Sequence, residues 1–239
     1  MTQPRYGRST KICVLIVDDH PLFLAGLEKA LSMEDDMLVV GNSPDGDQAL
    51  RLVHELHPDV VLLDVNLPGQ NGIQVAHRLK RERAEVAVVF LTAYYDTHQV
   101  LLAMRVGASA FCEKNIHPDD LVEVIRAAAA GHYIVNGEYM DSKGVAAWIQ
   151  KNVYDIVGPY SDDPDKHFVP LSKRETEILE SVTLGMSNKE VASELGISQQ
   201  TVKNHMTSIL RKLNVEDRTQ AAVMALRHGW VRIQDKDMP

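Results

Sequence analysis

Five short runs of consecutive apolar, β-branched residues punctuate the first half of the chain, at 12–17, 38–41, 59–63, 86–91 and 108–112. Each is followed by a segment of helical period, at 21–33, 48–56, 72–83, 97–106 and 118–130, where apolar positions recur as in Leu121, Val124 and Ile125. Strand-like runs that are apolar throughout, rather than alternating, must be covered on both faces, which is the condition of a parallel sheet. The five strand-helix units therefore predict an α/β domain over 10–131 with a five-stranded, doubly wound parallel sheet of the flavodoxin-like kind.

After Gly131 the rhythm stops. Residues 132–169 read as a linker with one amphipathic helix at 142–153, carrying Val145, Ala146, Trp148 and Ile149, with Trp148 as an apolar anchor. A polar stretch at 158–166 follows, and its acidic portion at 162–165 reads as solvated linker. From residue 170 onward there are no strand runs. Ser172 with Glu175 and Ser187 with Glu190 fit capping boxes, and Ser198 is placed as an N-cap. A second, all-α domain is predicted over 170–233.

Composition narrows the class without settling it. With 45% hydrophobic and 24% charged residues in 239, the chain is globular rather than disordered, collagenous or coiled-coil. No apolar run approaches the length of a membrane span, and 12–17 is too short for a signal peptide, so the expectation is a cytoplasmic protein with no membrane partner. Cys13 and Cys112 lie in strand-like runs and read as buried thiols. The ten histidines show no ligand spacing, and no histidine metal site is expected.

The net charge of −8 argues against nucleic acid until it is divided along the chain. The first 131 residues carry 12 Lys+Arg against 18 Asp+Glu, whereas 170–239 carry 10 against 9. Within that last part, 198–213 holds Lys203, His205, Arg211 and Lys212 with no acid. A local basic stripe matters more to a polyanion than the total.

In an open parallel sheet, side chains at the carboxyl ends of the strands converge on one crevice. There the predicted strands deliver Asp18 and Asp19, Asp64, Thr92 and Lys114. Any single aspartate at such a place could be a helix cap or a turn residue. Three together repel one another unless a hard cation lies among them, and oxygen donors with open positions suit Mg²⁺. A hydroxyl and an ammonium opposite are what the remaining oxygens of a phosphoryl group need.

The segments VDDH at 17–20, LLDVNLPGQNG at 62–72, LTA at 91–93 and FCEK at 111–114 resemble the receiver domain of bacterial two-component response regulators. The resemblance implies that Asp64 accepts a phosphoryl group from a sensor histidine kinase. It also implies that Asp19, Asp64 and the Asn66 backbone carbonyl hold Mg²⁺, that Asp18 acts through water, and that Thr92 and Lys114 bind phosphoryl oxygens. Thr92 and Phe111 would be the switch pair, the ring turning inward once phosphate draws in the Thr92 hydroxyl. The family more often has tyrosine at the place of Phe111, and many members have a cis proline where Asn115 stands. Asn66 and Tyr94 would line the path of an attacking water.

Drawn at 3.6 residues per turn, 198–213 puts Val202, Met206, Ile209, Leu210 and Leu213 on one face and Gln200, Lys203, Asn204, Thr207 and Arg211 on the other. A short helix at 188–195 and a tight turn at 196–197 precede it, the spacing of a helix-turn-helix. The segment 170–232 closely resembles the LuxR-type helix-turn-helix of the NarL/FixJ response regulators. That implies base contacts from Lys203, Asn204 and Thr207, with Gln200 also on the DNA face, and phosphate contacts from Ser187, Asn188, Lys189, His205, Arg211 and Lys212. The closing helix at 217–228 looks like a dimer surface, although Ala221, Ala222 and Ala225 fit simple core packing equally well.

The resulting expectation is a phosphorylation-switched transcription factor rather than an enzyme, its only catalysis being phosphorylation and dephosphorylation at its own Asp64. Its partners would be a sensor histidine kinase, promoter DNA, a second copy of itself when active, and RNA polymerase. In the resting state the first domain is expected to pack on the 198–213 helix. Two alternatives stand beside this reading. One is a phosphorylation-independent DNA binder with the first domain as scaffold. The other is a Mg²⁺-dependent aspartyl-phosphate phosphatase, which wants a second acid two residues after the nucleophile, where this chain has Asn66.

Overall fold

A computed structural model describes residues 11–67, 70–82, 85–93, 95, 97–157, 171–213 and 215–227. Tyr94, the acidic stretch at 162–165 and residue 228 lie outside them. The N-terminal domain alternates β1 (Ile12–Val17), α1 (Pro21–Leu31), β2 (Met37–Ser43), α2 (Gly46–Leu56) and β3 (Val60–Asp64), as the apolar runs predicted. A two-strand hairpin of β4 (Asn66–Leu67) and β5 (Gln70–Asn71) follows, then α3 (Gly72–Glu82), β6 (Ala87–Thr92), α4 (Thr97–Arg105), β7 (Ala110–Glu113) and α5 (Pro118–Ala129).

The central strands run parallel in the order β2-β1-β3-β6-β7, with Leu15 beside Val61, Leu63 beside Phe90, and Leu91 beside Cys112. Their side chains divide by parity. Leu15, Val17, Val61, Leu63, Val88 and Phe90 face α2, α3 and α4, while Val14, Ile16, Val60, Leu62, Val89 and Leu91 face α1 and α5. Both sets are essentially inaccessible, which is why neither face of these strands carries a polar alternation. Each fully buried Leu or Val of this kind contributes roughly 2 kcal/mol.

The sheet does not stop at β7. Residues read as the start of a linker add β8 (Tyr133–Val135), parallel to β7 with Ile134 beside Ala110, and β9 (Glu138–Met140), antiparallel to β8, giving seven strands rather than five. Asn136 and Gly137 turn this hairpin at φ 53° and 79°, the left-handed pair that a two-residue turn of matching twist requires. One residue later α6 (Ser142–Val157) begins, longer than the predicted 142–153, and it lies against α4. Val145 is buried, and Trp148 and Ile149 pack on the same core as α2 to α4. Residues 133–149 thus pack on the sheet and core of the first domain, and residues 158–170 lie outside the described residues.

The second domain holds α7 (Lys173–Thr183), α8 (Asn188–Glu194), α9 (Gln199–Leu213) and α10 (Arg218–Arg227). Both expected capping boxes form: the Glu175 and Glu190 amides donate to Ser172 and Ser187 Oγ, and each glutamate accepts from the serine amide in return. Ser198 Oγ accepts from the Thr201 amide, fixing the start of α9. Ile178, Leu179, Val191, Val202, Ile209, Ala221 and Ala225 form the core. The two alanines of α10 are therefore packing residues, as their size allowed.

Candidate functional site

The carboxyl ends of β1, β3, β6 and β7 bring the expected residues together. Asp18 follows β1, Asp64 and Thr92 close β3 and β6, and Lys114 follows β7. Asp18, Asp64 and Thr92 are 1%, 2% and 0% exposed. Lys114 Nζ lies 2.5 Å from Asp18 Oδ2 and 2.9 Å from Asp64 Oδ2, and it sits 4.9 Å from the centre of the Phe23 ring. The Lys114 amide donates to the Thr92 carbonyl at 2.7 Å, so the hydroxyl and the ammonium are placed by one backbone contact between adjacent strands.

Two features hold Asp64. The Asn66 amide donates to its Oδ1 at 3.1 Å. Behind it, a Cβ on Gly72 would stand 2.1 Å from the Asp64 carbonyl oxygen, so only glycine lets α3 start this close to β3. Burial pushes the Asp64 carboxyl above its ordinary range, opposed by Lys114 and seconded by Asp18.

Asp18, Asp19 and Asp64, the expected cation ligands, lie close together, and His20, which the sequence reading passed over, stands beside them. Asp18, Asp19, His20 and Asp64 each offer a ligand atom, and all lie within 4.8 Å of one another. His20 Nδ1 is 3.1 Å from Asp18 Oδ1 and 3.0 Å from Asp19 Oδ1, and its amide donates to Asp18 Oδ1 at 2.9 Å. Ligand spacing was the criterion for histidines, and it passes over a residue adjacent to the aspartates. Carboxylate oxygens dominate the set, which fits a small hard cation such as Mg²⁺. Among the described residues, the buried Asn66 Oδ1 has no hydrogen-bond partner.

Phe111, the expected partner of Thr92, is packed into the receiver core. Phe111 is 5% exposed and its ring lies 5.9 Å from the Phe90 ring. Without a hydroxyl it has no polar atom to hold it at the surface, and apolar burial decides its position. The ring of Tyr95 closes over it edge-on at 6.0 Å and 76°.

In the second domain, α8 and α9 are joined through Gly196 at φ 64°. Gln200, Lys203, Asn204, Thr207 and Arg211 are exposed on α9, as are Ser187 and Lys189 at the start of α8, while Asn188 and His205 are half-buried. Val202, Met206 and Ile209 are buried beneath them. Lys212 is a correction. Its Nζ lies 2.6 Å from Glu175 Oε2, and Ser208 Oγ donates to the other carboxylate oxygen at 2.7 Å, so this ammonium holds α9 to α7 instead of facing outward. Among the described residues the polar-face positions of α9 are exposed, and α7 comes against β5. On α10, Val223 and Leu226 are 49% and 39% exposed and form the outward apolar positions.

The comparisons agree with this geometry domain by domain. Residues 14–126 match the response regulator receiver domain, and residues 169–225 match the bacterial regulatory proteins of the luxR family. The transcriptional regulatory protein DegU of Brevibacillus brevis is 35% identical over 234 residues, covering 94% of this chain and 97% of that protein. The nitrate/nitrite response regulator protein NarP of Escherichia coli is 34% identical over 219 residues, covering 92% and 96% respectively. The solved structure of the RcsB response regulator of Salmonella typhimurium shares the fold at 22% identity, with a TM-score of 0.58 over 90% of this chain and 97% of that one. The chain belongs to the response regulators of the NarL/FixJ type, in which a receiver domain precedes a LuxR-type helix-turn-helix, and it is a DNA-binding transcriptional regulator.

Proposed function

We propose that Asp64 is the phosphoacceptor of a sensor histidine kinase and that its phosphorylation controls DNA binding by α9. The observation that carries this is the buried Asp64 carboxylate with Lys114 Nζ at 2.9 Å and two further aspartates beside it. An Asp64 oxygen attacks phosphorus while the bond from phosphorus to the donor's imidazole nitrogen breaks, and the imidazole leaves. Asp18, Asp19, Asp64 and the Asn66 carbonyl would hold Mg²⁺, which supplies neutralisation of the charge gathering on the transferring group. Lys114 then turns from the carboxylates to a phosphoryl oxygen, and the Thr92 hydroxyl donates to another. Asn66 stands where the phosphatase reading needs an acid.

For DNA, the exposed Lys203, Asn204, Thr207 and Gln200 supply the base-facing set. Ser187, Asn188, Lys189, His205 and Arg211 lie nearer the backbone phosphates. Val223 and Leu226 fit the homodimer contact on α10. RNA polymerase and a cytoplasmic setting follow from promoter binding, and no described helix is long and apolar enough to cross a membrane. The competing reading is a phosphorylation-independent DNA binder in which the receiver serves as scaffold. Intact mass of the protein with Mg²⁺ and acetyl phosphate separates the two. One added phosphoryl group, lost in Asp64→Asn and accompanied by tighter DNA binding, supports the switch; an added group without any change in DNA binding supports the scaffold.

A further inference from the structure

Arg174 and Arg218 belong to the helical domain but to neither helix of the helix-turn-helix, lying on α7 and α10. Both donate to main-chain carbonyls that flank α8. Arg174 Nη2 reaches the Leu195 carbonyl at 2.7 Å, while its Nη1 is held 2.8 Å from Glu177 Oε2. Arg218 Nη2 reaches the Met186 carbonyl at 2.6 Å. Met186 stands immediately before Ser187, the N-cap of α8, and Leu195 is its C-cap. The two arginines thus hold α8 at both ends, one from each side of the domain's helix order.

α8 needs such support. Its seven residues make barely two turns, too few for a stable helix on its own, and of them Val191 and Ala192 alone are buried. The last carbonyls of a helix have no partner within it, and a guanidinium at that end meets both the vacant acceptor and the negative end of the peptide dipoles. A further tie is Ser181 Oγ on α7, which donates to Glu194 Oε2 at 3.1 Å. Next to Arg174 on the same helix, Glu175 takes Ser208 and Lys212 of α9. The consecutive pair Arg174 and Glu175 therefore reaches both helices of the helix-turn-helix and fixes one against the other.

We propose that Arg174 and Arg218 are positioning residues for DNA binding: they contact no phosphate, and they set the place of α8, and so of Lys189 near its start, relative to α9. This rests on the assignment of Lys189 to a backbone phosphate. A cation in a DNA-binding domain is ordinarily available to phosphates; these two are engaged with carbonyls of their own chain.

Arg174→Met and Arg218→Met keep the apolar stem and remove the donor. Hydrogen exchange by mass spectrometry on the full chain, without DNA, should show about tenfold faster amide exchange in α8, with α7 and α9 near their wild-type rates. No change in α8, or equal acceleration throughout the domain, overturns the clamp. Should a methionine variant not fold, Arg174→Lys and Arg218→Lys, which keep a cation of shorter reach, decide in the same way. Affinity for a duplex that the wild-type protein selects from genomic fragments, at one fixed salt concentration and well below the unfolding midpoint, then separates positioning from phosphate contact in a cycle with Lys189→Ala. Positioning predicts that Lys189→Ala weakens binding several-fold in the wild-type background and scarcely further in Arg218→Met. Additive losses would mean that Arg218 acts independently of α8 and would overturn the proposal, as would wild-type affinity in Arg218→Met. Wild-type affinity in Lys189→Ala contradicts the assignment of Lys189 instead, and the exchange of α8 still decides the clamp.

Discussion

Glu175 is 4% exposed and gathers Lys212, Ser208 and the Ser172 amide around one carboxylate. Burial pushes its pKa up, but these donors outweigh it and hold the group below its ordinary 4.5. A folded pKa lowered in this way gives stability that is present above 4.5 and lost as pH falls below it, so thermal unfolding should show the helical domain weakening in acid. Glu175→Gln should flatten that acid limb. Lys212→Ala leaves the carboxylate buried without its cation and should lower stability by about 3 kcal/mol, measured by urea unfolding. Gly72→Ala should cost about 1–3 kcal/mol and depress phosphorylation, because the new Cβ displaces the Asp64 backbone; unimpaired phosphate uptake would show that the carbonyl has room to move. Asp18, Asp64, Thr92 and Lys114 were legible because strand ends announce themselves. Lys212 was not, since a helical wheel gives direction and no tertiary partner, and its neighbour in space lies 37 positions away.

At the level of elements, the five core strands and their helices followed from apolar runs and period, and the helix starts from serine caps. The hairpin of β8 and β9 was passed over because its strands are three residues each, too short for a periodic signal, although the Asn136-Gly137 pair is a strong turn signal. The same oversight left α6 inside the stretch read as a linker, although its Val145, Trp148 and Ile149 pack on the receiver core. Trp148 makes the point testable: it packs on the receiver core, so Trp148→Ala should lower the stability of the full chain by about 1–3 kcal/mol in denaturant unfolding. A free linker helix would show no such loss.

For the whole molecule, a net charge of −8 coexists with a DNA-binding domain because residues 170–239 carry 10 Lys+Arg against 9 Asp+Glu and α9 holds exposed Lys203 and Arg211 with no acid. Binding should therefore weaken steeply with salt, and removing a single phosphate-facing cation, as in Arg211→Ala, should reduce the slope of log K against log salt by about one. Lys212→Ala should leave that slope nearly unchanged, its charge being engaged with Glu175. The central claim is that Asp64 phosphorylation governs this surface. Its most direct measurement is the affinity of the full chain for promoter DNA at one fixed salt concentration, with and without Mg²⁺ and acetyl phosphate, for wild type and Asp64→Asn. The account predicts tighter binding on phosphorylation in wild type and no response in Asp64→Asn; equal affinity in all four conditions, with Asp64 shown to be phosphorylated, would contradict it.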